Sequence, residues 1–115
     1  MAPTAVESIK SASNYLRGTL DAELADGQTM FSADSTHLLK FHGIYQQDDR
    51  DVRRARTAAG AELEYTCMVR CSVPGGVLRA PQWAAIDAIA DEVGDGTLRL
   101  TTRQGVQYHL CTRAT

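Results

Sequence analysis

Three arginines and three neutral hydrogen-bonding residues recur at spacings that place them together. Residues Thr97, Arg99, Thr101 and Arg103 alternate with Leu98 and Leu100. A few residues later, Gln107 and His109 alternate with Val106, Tyr108 and Leu110. In an extended chain, successive side chains point to opposite faces, so each run sorts into an apolar face and a polar one. Upstream, Glu64–Val73 alternates in the same way, with Tyr65, Cys67, Val69, Cys71 and Val73 on one side. Glu64, Thr66, Met68, Arg70 and Ser72 fall on the other. If a helix covers the apolar face, then Arg70, Arg99 and Arg103 share the opposite one with Thr101, Gln107 and His109. No acidic residue follows Thr97 to balance them. Guanidinium groups stay charged and present a planar fork of donors that matches carboxylates. Such a face suits a multiply anionic ligand, with a solvated sheet face as the plainer reading.

The elements that would hold this face are legible around it. Pro74-Gly75-Gly76 ends the first strand. Pro81 opens a helix, whose apolar stripe runs Trp83, Ile86, Ile89, Ala90 and Val93, and Gly94 and Gly96 close it. Trp83 reads as a core anchor. Strands over 97–102 and about 106–110 follow, in a strand–helix–strand–strand order. The helical connection allows the first two strands to pair in parallel. The fold class is therefore α+β, a ferredoxin-like half-domain over 61–115. It is preceded over 1–60 by an extended, partly helical N-terminal arm. Within the arm, a helix is expected around 8–25, and a shorter one is capped by Asp34. Residues 41–56 have no clear period and read as an extended arm or loop.

The bulk properties narrow the functions. The 115 residues carry 12 Lys and Arg against 14 Asp and Glu, a net charge of −2. That balance argues against nucleic acid or an anionic membrane as the main partner. An RNA-binding sheet would also want aromatics on the open face, and Tyr108 has the wrong parity. No apolar run suits a membrane helix and no leader is evident, so a cytoplasmic location is expected. Three cysteines, Cys67, Cys71 and Cys111, read as reduced thiols, and no metal site is assigned to them. A four-cysteine cluster lies beyond what they supply. No catalytic triad or zinc motif is present.

Several runs resemble the hemoprotein subunit of assimilatory sulfite reductases. They are Ser13-Asn14-Tyr15-Leu16-Arg17-Gly18, the stretch Leu39–Asp51 containing Gln46-Gln47-Asp48-Asp49-Arg50-Asp51, Met68–Val77, Gln82–Asp87 and Gly96–His109. The likeness spans about residues 11–109. It implies siroheme coupled to a 4Fe–4S cluster, and sulfite reduced to sulfide with six electrons. The electrons would come from an NADPH-dependent flavoprotein or from ferredoxin. It implies that Arg70 contacts the substrate anion and that Arg99, Thr101, Arg103, Gln107 and His109 contact siroheme and its carboxylates. It also implies several hundred further residues carrying the cluster cysteines. Leu110–Thr115 does not resemble that continuation. The expectation is an N-terminal fragment, inactive alone, whose partner is the rest of the reductase. A stand-alone module binding a small anion is the competing reading.

Overall fold

The computed structural model describes residues 1–114. Five α-helices and four strands follow one another as α1 (Ala5–Ala12), α2 (Leu20–Ala25), α3 (Ala33–Phe41), β1 (Ile44–Asp48), α4 (Arg50–Ala58), β2 (Tyr65–Cys71), α5 (Ala80–Glu92), β3 (Arg99–Leu100) and β4 (Val106–Cys111). The strands form one sheet in the order β1-β2-β4-β3, and every neighbouring pair is antiparallel. The α+β half-domain expected from the sequence is present, as β2-α5-β3-β4. The pairing is different from a parallel βαβ unit. β4 inserts between β2 and β3, so those two strands run parallel without touching.

The stretch expected to be a loop is structured. Residues 44–48 form β1, paired with β2 from Ile44↔Val69 to Asp48↔Tyr65. Arg53, Arg54 and Arg56 sit on α4, whose first turn is capped by the Asp49 carboxylate accepting from the Asp51 N–H at 2.9 Å. The sheet therefore runs across the expected division at residue 60. Local pattern missed β1 because backbone pairing, not a period of two, defines it. Its side chains are half-covered on both faces.

The long helix expected near 8–25 is broken. Ser13 is 4% exposed, and its hydroxyl donates to the Lys10 carbonyl at 2.6 Å while accepting from the Leu16 N–H at 3.0 Å. The chain then turns through Asn14, Tyr15 and Leu16 at φ of 49°, 59° and 66°. Such left-handed backbone costs about 1–2 kcal/mol per residue and cannot continue a right-handed helix. α3 begins two residues earlier than expected. Ser32, not Asp34, is its cap, accepting from the Ser35 N–H at 3.3 Å.

The core lies between the apolar sheet face and the helices. Phe31, Leu39, Cys67, Ala90, Tyr108 and Cys111 are buried together, with Ile44, Val69, Ile86 and Leu98 packed against them. The Tyr108 hydroxyl donates to the Ile86 carbonyl at 2.9 Å and ties β4 to α5. Trp83, expected as the anchor of this core, is 42% exposed, and Ile89 is 43% exposed. α5 is apolar on several sides, so its sequence does not single out one buried stripe; Ala90 and Ile86 take the inner positions.

A second knot holds the N-terminal region. The Glu23 carboxylate accepts from the Thr19, Ser32 and Ser35 hydroxyls at 2.6, 2.8 and 2.7 Å, and from the Ser32 N–H at 2.9 Å. Partial burial raises its pKa, but these donors outweigh that and bring it to about 2. Because the folded value lies below the unfolded one, the stabilisation is complete above about pH 4.5. It fades as pH falls toward 2. Acid unfolding followed by circular dichroism should show this loss, and Glu23→Gln should flatten it across that window.

Candidate functional site

The open sheet face takes its order from strand register. Arg70 on β2 stands directly opposite Gln107 on β4, and Gln107 stands opposite Arg99 on β3. Directly paired residues in antiparallel strands project to the same side, so these three form a row across the sheet. The parity read from the sequence holds through Gln107 and His109. It fails at Leu110. There a bulge lies between the Val69↔Tyr108 and Cys67↔Cys111 pairs, Leu110 adopts φ of 56°, and its side chain is 51% exposed. A bulge adds one residue to one strand and resets which side follows.

Two hollows open on this face. The first, about 610 Å³, is lined by Arg70, Thr101 and Arg103, together with Lys40, His42, Tyr45, Ser72 and Thr102. Among the described residues no carboxylate lines it. The second, about 790 Å³, brings Arg99 and His109 beside Tyr45, Thr66, Arg50 and Arg53, and it also contains Asp48, Asp49, Asp51 and Asp95. Gln107 borders both residue groups by register and is bonded to His109, with Nε2 and Oε1 at 3.1 Å. The structure therefore collects all six expected residues on one face but distributes five of them over two neighbouring hollows.

Arg70 is held firmly at its base. Its N–H donates to the Gly43 carbonyl at 2.8 Å, and its guanidinium lies 5.3 Å from the centre of the Tyr45 ring. Gly43 has φ of 78°, and a Cβ there would stand 2.9 Å from the Arg70 carbonyl oxygen. Only glycine allows the strand entry to pass so close. Arg70 Nε is buried with no hydrogen-bond partner among the described residues. An unmet buried donor on a permanent cation is costly unless an acceptor arrives.

Thr101 sits at the start of the turn into β4. Its hydroxyl accepts from the Gly105 N–H at 2.9 Å, its N–H donates to the Gly105 carbonyl, and Arg103 projects from the exposed turn. His109 has its pKa lowered, by burial first and by the nearby Arg99 charge second, with Asp95 opposing. The Gln107 carbonyl can only accept, so Nε2 carries the proton of a neutral imidazole.

Sequence reasoning missed Tyr45 and Lys40. Tyr45 is an aromatic on the open face, paired with Met68 in register. The signal lay in Ile44-Tyr45 as an extended pair, but without β1 no parity could be assigned. Lys40 reaches the hollow from the last turn of α3, which only the packing of α3 against β1 brings there.

Residues 60–113 match the model of the nitrite/sulfite reductase ferredoxin-like half domain. The sulfite reductase (NADPH) hemoprotein beta-component of Staphylococcus haemolyticus is 50% identical over 106 residues, covering 91% of this chain and 18% of that protein. Its counterpart in Thiocapsa roseopersicina is 52% identical over 104 residues, 90% of this chain and 19% of the relative. That of Cronobacter sakazakii is 49% identical over 105 residues, with 90% and 18% covered. Residues 60–113 thus carry the half domain of the nitrite and sulfite reductases. The chain aligns within the hemoprotein component of sulfite reductases, oxidoreductases of which it spans less than a fifth. Among the described residues no helix is long and apolar enough to cross a membrane.

Proposed function

We propose that this chain supplies the cationic sheet face of an assimilatory, cytoplasmic sulfite reductase that converts sulfite to sulfide with six electrons. The observation that carries the reading is the first hollow. Among the described residues, Lys40, Arg70 and Arg103 line it without a carboxylate, and Arg70 Nε has no partner. Those residues fit an anionic group. In this reading Arg70 takes the substrate anion, and Arg99, Thr101, Arg103, Gln107 and His109 hold the carboxylates of siroheme. When bound, siroheme coupled to a 4Fe–4S cluster would supply the metal that sulfite meets and relay donated electrons to it. The cluster ligands lie in the rest of the reductase, and an NADPH-dependent flavoprotein or ferredoxin donates the electrons.

The chain's own residues do the remaining work. A charge-assisted hydrogen bond from the Arg70 guanidinium to an anion contributes about 1.5–3 kcal/mol. The base of Arg70 is fixed by Gly43 and Tyr45, so little freedom is lost on binding. Thr101 spends its lone pair on the Gly105 N–H, which leaves its hydroxyl hydrogen to donate outward. Neutral His109 offers a second donor position. A carboxylate arriving beside Arg99 would offset the charge that helps lower the His109 pKa, leaving burial as the opposing influence.

The surface supports a role inside a larger body. The accessible area is 8280 Å², whereas a free-standing protein of 12.5 kDa carries about 6,200 Å². The radius of gyration is 16.4 Å, against about 13 Å for a free-standing domain of this length. The excess is the area a neighbouring domain would cover, and it weighs against a stand-alone anion-binding module. Mixing the purified chain with siroheme and a strong one-electron donor tests this. The expected result is no sulfide production; sustained turnover by the chain alone would overturn the fragment reading.

A further inference from the structure

The three cysteines fall into a pair and a singleton. Cys67 on β2 and Cys111 on β4 are direct register partners, so both side chains project to the same core-facing side. Opposed residues in antiparallel strands have Cα atoms about 4.5–5.5 Å apart, inside the range of about 4.4–6.8 Å that disulfides span. Both are free thiols, 8% and 5% exposed, and both belong to the same buried cluster. Cys71 lies four residues further along β2, opposite Val106, so it faces no thiol across the strand pair.

Burial alone would make such a pair inert, but Cys67 and Cys111 both line a third hollow. It measures about 630 Å³, is open to solvent, and is lined also by Leu20, Leu24, Ile89 and Val93. Cys71 does not line it. A small oxidant entering there meets both sulfurs of the pair and not the singleton. The bulge beside Leu110 gives β4 local slack at the place where the two sulfurs must approach.

We propose that Cys67 and Cys111 form a dithiol site that closes to a cross-strand disulfide by exchange with a low-molecular-weight disulfide. In the first step one cysteine, as thiolate, attacks a sulfur of the oxidant. A mixed disulfide forms and one thiol of the oxidant leaves. The second cysteine then attacks the protein sulfur of that mixed disulfide, the S–S bond between Cys67 and Cys111 forms, and the second thiol leaves. Two protein thiols are oxidised, and one small disulfide is reduced to two thiols. Burial raises the pKa of both groups, so the exchange is slow at neutral pH and faster in mild alkali. The closed form pins β4 to β2 just beyond Gln107 and His109.

The test is to incubate the full chain with excess oxidised glutathione at mildly alkaline pH, block remaining thiols, and map peptides by mass spectrometry. The expected product links Cys67 to Cys111 and leaves Cys71 blocked as a free thiol. Cys71→Ser should give the same link. Cys111→Ser should stop at a glutathione adduct on Cys67. Recovery of both Cys67 and Cys111 as free thiols, while a denatured control oxidises, would overturn the proposal. So would a link that uses Cys71.

Discussion

Gly94→Ala should cost the chain much of its folding stability. Gly94 closes α5 at φ of 72°, and a Cβ at this position would lie 2.1 Å from the His109 carbonyl oxygen and 3.5 Å from Cys111 Sγ. The obstacle is backbone, so it cannot rotate away as a side chain would. Relief requires β4 to move from its place between β2 and β3. The left-handed backbone adds about 1 kcal/mol or more, and the collision brings the expected loss to roughly 4 kcal/mol. Small domains rarely hold more than about 5–15 kcal/mol in total. Gly75→Ala is the matched control. Its φ of 67° is similar, yet nothing stands within 4 Å of the added carbon, so only the conformational cost of about 1 kcal/mol should appear. Urea melts of the two variants should differ by severalfold in lost stability. Equal losses would show that β4 yields at His109, and would weaken the view that the site is rigidly built.

Arg70→Ala should be the most damaging change to function. The measurement needs a whole hemoprotein, so the natural vehicle is the Staphylococcus haemolyticus relative with its matching segment replaced by this chain's residues. Removing a preorganised charged donor from a reacting anion costs about 10²–10³ in kcat. Arg70→Lys retains the charge but loses the planar fork, so it should recover only part of the rate. Sulfite reduction assayed with a strong one-electron donor gives kcat and KM separately. Loss confined to KM would mean that Arg70 binds sulfite without favouring its reduction. No change in either would remove Arg70 from the substrate's path.

What could be read from the residues was what strand and helix periods encode. The alternation of 64–73 and 97–110 gave β2, β4 and the polar face, and Pro81 and Gly94 bracketed α5. Arg70, Gln107 and Arg99 align because a period of two survives tertiary packing. Features set by distant partners were hidden. β1 exists because β2 offers it an edge; Gln46 is occupied by the Phe31 N–H at 2.6 Å, an interaction across 15 residues. Trp83 looked like a core residue because large aromatics usually are, yet Ala90 and Ile86 face the sheet. The separation of the arginines into two hollows depends on the Thr101–Gly105 turn and on α3, which brings Lys40. The bulge at Leu110 turns on a single positive φ that its residue type does not announce.

If the cationic face holds the carboxylates of siroheme, cofactor content reports it. The chimeric hemoprotein carrying this chain's residues should purify with its siroheme absorption band. Arg99→Gln combined with Arg103→Gln removes two expected carboxylate contacts from exposed positions whose loss should leave the sheet intact. The variant should fold as the parent does by circular dichroism but purify with most of its siroheme missing. Full siroheme occupancy in the folded double variant would show that Arg99 and Arg103 do not hold the cofactor.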